Sequence, residues 1–221
     1  MRPGNNTTRH LRIPALLIAM LFMLSSGCST AYYSAMEKLG KEKRHLLKDN
    51  VADVQDSQTK AQEEFKDALT RIREITNFKG GDLEAFYNRL KSSYEDCDAR
   101  AAQIEKRIAR VETVASDLFT EWETEVKQIR DKRLQAASKT SLSDARAKYR
   151  KLSTAMGQST KGMYPVLAKL NDYVLYLKHN LNARAVGALG TEVVSIEQDV
   201  ADLVADMNAS IKAADNFIKT F

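Results

Sequence analysis

LEAFYNRLKSSYEDCDARAAQIEKRIARVETVASDLFTEW, residues 83–122, decides the fold. Apolar side chains return at alternating steps of four and three: Leu83, Tyr87, Leu90, Tyr94, Cys97, Ala101, Ile104, Ile108, Val111, Ala115, Leu118 and Trp122. That spacing tracks one face of an α-helix, and most of the residues between are charged or polar. A helix with a single apolar stripe is stable only when another element covers the stripe.

Three further runs supply the cover. The first is Leu47, Val51, Val54, Gln58, Ala61, Phe65, Ala68, Ile72 and Ile75. Another is Leu142, Ala145, Tyr149, Leu152, Met156, Ser159, Met163, Val166, Leu170, Tyr173 and Leu177. The last is Val186, Leu189, Val193, Ile196, Val200, Leu203, Met207, Ser210, Ala214, Phe217 and Phe221. Across all four runs only Gln58, Ser159 and Ser210 are polar. The expected fold class is all-α, with long antiparallel helical hairpins forming an elongated, coiled-coil-like four-helix bundle. Whether the hairpins lie side by side or end to end stays open.

The breaks divide the chain. Phe78-Lys79-Gly80-Gly81-Asp82-Leu83 reads as a helix stop followed by a start, with glycine at the C-cap and Asp82 capping the next helix. Ile75 is then expected against Leu83, Phe65 against Tyr94, Ala61 against Cys97 and Leu47 against Val111, in arms of roughly 42 Å. A second break is expected at Ala137-Ser138-Lys139-Thr140-Ser141, with Ser141 and Asp144 as a capping pair. A third falls between Lys178 and Ala185, with Gly187 and Gly190 as a competing turn. Gly157, Gly162 and Pro165 weaken the third helix. The resulting division is 1–27 as an export signal, 28–45 as a tethered segment leading into the first helix, 46–138 as one hairpin and 141–221 as another.

The signal reading rests on residues 1–28. Arg2 and Arg12 flank a polar start, and IPALLIAMLFML at 13–24 is an apolar stretch of the length of a signal-peptide core, short of the roughly 20 residues that span a bilayer. Ser25-Ser26-Gly27-Cys28 follows, and small residues before a cysteine resemble a lipobox. The match departs at Leu24, one position early, with Ser25 in the usual leucine's place. By this resemblance Cys28 is acylated and membrane lipid is a partner; the plainer alternative is a secretory signal with a chance cysteine. Ser29, in place of the aspartate that marks inner-membrane retention, implies the inner leaflet of the outer membrane, facing the periplasm. Tyr32 and Tyr33 would lie at the lipid interface.

The chain carries a net charge of +5, and residues 1–27 hold three of its bases, Arg2, Arg9 and Arg12, and no acids. Acids and bases alternate along the rest, which reads as solvated helix faces rather than a nucleic-acid groove.

The stretches AYYSAMEKLGKEKR (31–44), FKGGDLE (78–84), LFTEWETE (118–125) and LYLKHNLNARAVGAL (175–189) resemble an uncharacterised family of Gram-negative lipoproteins, domain of unknown function 2959. The resemblance implies a helical envelope lipoprotein and assigns no catalytic or binding residue.

Candidate chemistry is sparse. His45 and His179 have no ligand set at zinc spacing, and neither a phosphate loop nor a nucleophile elbow is present. No metal, cofactor, nucleic acid or small-molecule substrate is expected. Cys97 reads as a small buried seam residue, with a disulfide to a second copy as the sharper alternative. His179, Asn180, Asn182 and Arg184 make a polar tip, read as turn and capping groups or as a docking point. Trp122, beside Glu121, Glu123 and Glu125, reads as a seam aromatic or a partner anchor. The expected role is a non-enzymatic scaffold that binds an envelope protein or itself. An adaptor for a membrane or cell-wall enzyme complex is the alternative, and a hydrolase built on Glu121 and Glu125 the remote third.

Overall fold

The structure, a computed structural model, describes residues 42–76, 82–190 and 193–221. The signal, Cys28, Tyr32, Tyr33 and the Gly80-Gly81 break lie outside the described residues. The chain divides at Lys43, and Arg44–Phe221 forms one unit. Its helices are α1 (Lys43–Thr76), α2 (Leu83–Gln128), α3 (Lys132–His179), α4 (Ala183–Gly190) and α5 (Val193–Thr220).

Contacts between helices order them. Along α1, Glu74, Glu64 and Asp53 meet Arg89, Arg100 and Arg107 of α2, so the two helices run in opposite directions. Trp122 and Glu123 of α2 meet Ser138 and Arg146 of α3, while Glu105 accepts from the Tyr164 hydroxyl. Lys148 and Lys169 of α3 reach Thr220 and Ser195 of α5. Gln62 and Arg73 of α1 reach Asn208 and Glu197 of α5. The four long helices therefore alternate in direction around a shared core. Gln58 of α1 and Ser159 of α3 meet across its middle, where the Gln58 side-chain amide donates to the Ser159 hydroxyl at 2.6 Å.

Heptad positions become this core. Every seam residue of the first run is at most 1% exposed. The third and fourth runs are buried wherever described, apart from half-buried Tyr149. The second run follows the expected seam from Leu90 to Ala115, with Tyr94 half-buried, and then shifts. Val114, Phe119 and Val126 are buried, whereas Leu118 and Trp122 are only half-buried. Val111, Ala115 and Phe119 are successive steps of four. A straight helix gains on a strict seven-residue repeat by about 20° per heptad, and one extra four-residue step brings the core face back. At the start of α2, Phe86 replaces Leu83 and Tyr87 as the buried residue for the same reason.

Asp82 caps α2, accepting from the amides of Glu84 and Ala85 at 3.0 Å each. The break expected at residues 137–141 is corrected: that stretch lies inside α3, and the turn falls at 129–131. Asp131 is the N-cap, accepting from Arg133 and Leu134, and the Gln135 side chain closes the turn onto the Val126 carbonyl. Two hydroxyls of this Ser/Thr-rich stretch find partners compatible with a continuing helix. Thr140 donates to the Ala136 carbonyl, and Ser138 accepts from Trp122. The expected Ser141–Asp144 cap therefore does not form. At the far end of α3, Asn180 is the C-cap, and the short α4 stands between α3 and α5.

α3 runs unbroken through Gly157, Gly162 and Pro165. A Cβ at Gly162 would stand 3.3 Å from Leu203 Cδ1, so α3 and α5 approach closely there. A Cβ at Gly157 would meet nothing within 4 Å. Gly157→Ala is therefore expected to raise the unfolding free energy by about 0.5–1 kcal/mol, through helix propensity alone. Urea denaturation checks it; a loss of stability would show that the position is more crowded than its surroundings indicate.

Candidate functional site

The groups singled out from sequence are separated rather than gathered. Trp122 lies beside Ser138 near the start of α3, and His179 ends that helix, about 60 Å of helix away.

At the first end, an aromatic cluster closes the bundle. Phe119 meets Tyr149 and Phe221 edge-on at 5.6 and 6.4 Å between ring centroids, and Phe217 stacks on Phe221 at 4.6 Å. Arg44 sits over the Phe221 ring and Arg146 over Phe119. Beside the cluster is a cleft of about 340 Å³ lined by Arg44, Trp122, Ser141, Asp144, Lys148 and Phe221. Its polar groups are largely engaged. The Trp122 ring N–H donates to Ser138 Oγ at 3.0 Å, and Lys148 donates to the Thr220 carbonyl at 2.7 Å. Trp122 is thus a half-buried clamp between α2 and α3. Next to it, the hydrogen bond from Arg146 holds the Glu123 carboxyl below its ordinary range, with Lys127 adding to the effect. Glu125 is exposed and Glu121 half-buried, one turn apart on α2.

At the other end, His179 is exposed on the last turn of α3, where a cation favours the helix carbonyls. The Asn180 amide donates to the Leu177 carbonyl, and its side chain donates to the Tyr176 carbonyl at 2.9 Å. Asn182 donates its backbone N–H to the Asn180 carbonyl. These two asparagines shape the exit from α3. The side chain of Arg184 lies outside the described residues.

The chain matches the family described as Protein of unknown function (DUF2959) over residues 32–221. It belongs to that family. No curated protein and no solved structure matches the chain.

The family match covers both ends and the core between them, and its description names no chemistry. Among the described residues, no three His, Cys, Asp or Glu side chains gather where a metal could be held. None of the described helices is long and apolar enough to cross a membrane.

Cys97 is fully buried in the α2 seam. Burial pushes its thiol up to about 12, with Glu64, Asp96 and Asp67 adding unfavourable negative charge. Exposure and a low thiol pKa, which disulfide exchange favours, are both missing. We expect a monomer band on non-reducing gels and no reaction with a thiol reagent until denaturant is added; a Cys97-dependent dimer would contradict this burial. The raised folded pKa also sets a sign. Cys97 contributes stability below pH 9 that is lost as the pH rises toward 12. Cys97→Ala should flatten the alkaline fall in melting temperature, and an unchanged slope would remove Cys97 as its cause.

The sequence reading missed Leu175, Tyr176, Leu181 and Val194, which are 50%, 38%, 42% and 74% exposed. The signal was present, because all four lie off the heptad seam, whereas Leu177 and Val193 on it are buried.

Proposed function

We propose that this chain is a periplasm-facing lipoprotein, acylated at Cys28 and held in the inner leaflet of the outer membrane, whose helical bundle is a non-enzymatic interaction scaffold. One observation carries the reading: a short apolar export stretch ending in Gly27-Cys28 precedes a bundle most of whose large apolar side chains pack into one continuous core. The residues with chemistry to offer are spread over separate helix faces and both ends, an arrangement that suits contact with a surface or partner better than the convergent groups a reaction needs.

The anchor is tested by fractionating cells that express the parent chain and Cys28→Ser. The parent should stay with outer-membrane fractions and carry fatty acid by mass spectrometry. Cys28→Ser should lose the fatty acid, and an acyl-free parent would end the proposal. Crosslinking in cells tests the role: recovery of the chain with itself supports a scaffold, and one dominant other protein supports an adaptor. The double variant Glu121→Gln/Glu125→Gln should complement a deletion as well as the parent does; failure with the fold intact would reopen catalysis.

A further inference from the structure

Charge is divided unevenly among the helices. α3 carries ten lysines and arginines against two acids, Asp144 and Asp172, whereas α1 is balanced and α2 and α5 each hold more acids than bases. The alternation along the whole sequence therefore conceals one basic helix. Three of its bases are engaged: Arg146 pairs with Glu123 of α2, while Lys148 and Lys169 reach Thr220 and Asp199 of α5. Six others, Lys132, Arg133, Lys139, Arg150, Lys151 and Lys161, are exposed and have no side-chain partner among the described residues.

At about 100° per residue, Lys132, Lys139, Arg150 and Lys161 fall within an arc of about 40° and form a row roughly 44 Å long. Arg146 marks the edge of this arc that turns to α2, and Lys148 and Lys169 lie on the side that turns to α5, so the row faces outward between them. Arg133 and Lys151 run along its α5 side. Acids stand on the flanks rather than in the row. Toward α2, Glu105 accepts from Tyr164, with Asp98 near the same ring, and Glu112 is near Tyr149. Toward α5, Asp206 stands beside Gly162. Asp144 lines the end cleft with Trp122 and Lys148, and Asp172 lies about three turns beyond Lys161, past the end of the row.

We propose that the outward face of α3 lies along an anionic lipid surface, so that the tethered bundle rests on its side. The proposal rests on the membrane setting of the reading above. Between Leu134 and Tyr164 this face exposes no large hydrophobic side chain. A protein interface is built on an apolar or aromatic centre depleted in lysine, which this face does not offer. A convex row of separate cations suits a broad sheet of phosphates, where each lysine or arginine near the surface adds to the attraction. The start of the bundle fits as well. Arg44 sits over Phe221 and lines the cleft with Trp122, at the end where α3 and its row begin. Cys28 is 16 positions before Arg44, a reach of at most roughly 55 Å, so an acyl chain there keeps the row within range of the bilayer.

Two exposed positions at one level of the bundle report on it, because Gln58 meets Ser159: Gln158→Cys on the α3 face and Thr59→Cys on α1, across the core. Each carries a thiol-linked fluorophore on the full acylated chain, in phosphatidylcholine vesicles with or without phosphatidylglycerol and with nitroxide-labelled headgroups. Buried Cys97 stays unlabelled. The expected result is at least about twofold stronger quenching at 158 than at 59, confined to vesicles containing phosphatidylglycerol and lost at high salt. Lys139→Gln/Arg150→Gln/Lys161→Gln should abolish the difference. Lys106→Gln/Arg110→Gln/Lys212→Gln, which removes the same charge from exposed sites on α2 and α5, should keep it. Equal quenching at both positions overturns the proposal, as does equal quenching on the two lipids or an equal effect of both triple variants. So does a crosslink from position 158 to a second copy or another protein in place of lipid. The Cys28 anchor is read separately, through the fatty acid on the parent chain, so either idea can fail alone.

Discussion

Gln58→Glu should destabilise the protein by several kcal/mol at pH 8 and by far less at pH 4. Gln58 is 0% exposed, and its amide nitrogen donates to Ser159 in the middle of the core. The hydroxyl of Ser159 in turn donates to the Met156 carbonyl at 2.9 Å. Gln58 Oε1 has no hydrogen-bond partner, and a second carboxylate oxygen in the place of Nε2 would meet only the Ser159 hydroxyl, a neutral donor. Glutamate fits the same space, but its ionised form would be buried without a counter-charge. Such burial raises a carboxyl pKa by up to about 3–5 units. A raised folded pKa means that stability is intact below the unfolded value of about 4.3 and is lost as the pH rises. At pH 8 the loss relative to pH 4 comes to about 4–5 kcal/mol. Urea melts of parent and variant at both pH values check it. Gln58→Leu is the control: it removes the unpaired oxygen while Ser159 keeps Met156, and its stability should be similar at both pH values. A pH-independent deficit in Gln58→Glu would mean that water reaches the site.

Phe65→Ala should cost about 3–5 kcal/mol, the range for deleting a fully buried phenyl ring. Phe65 is 0% exposed and lies on the α1 seam between Ala61 and Ala68, both also buried. Its two small neighbours leave the ring to fill the space, and neither can expand into the cavity. For a chain of this size the loss corresponds to a melting temperature lower by roughly 6–20 °C. Leu134→Ala, at a residue 63% exposed, should stay within about 0.5 kcal/mol of the parent. If the two substitutions cost the same, Phe65 would not be in a packed core.

What could be read from sequence alone is the part that local chemistry decides. Helices, and the face each one buries, follow from the spacing of apolar residues, so Val51, Phe65, Ile104, Met163 and Leu203 are in the core where the periodicity places them. Asp82 caps α2 because a carboxylate two and three residues before free amides needs no tertiary help. Tertiary structure decided the rest. It chose Asp131 over Ser141 as the start of α3, where Trp122 of α2 holds Ser138 within the helix. It moved the buried face from Leu118 to Phe119, where Tyr149 and Phe221 supply ring contacts. It also brought Gln58 to Ser159, 101 residues away, and left Leu175 and Tyr176 uncovered. Periodicity is a property of one helix and is written in its own residues. Which of two adjacent apolar positions is buried, and which polar group finds a partner, depends on the volume and hydrogen-bonding groups that other helices bring to the same place.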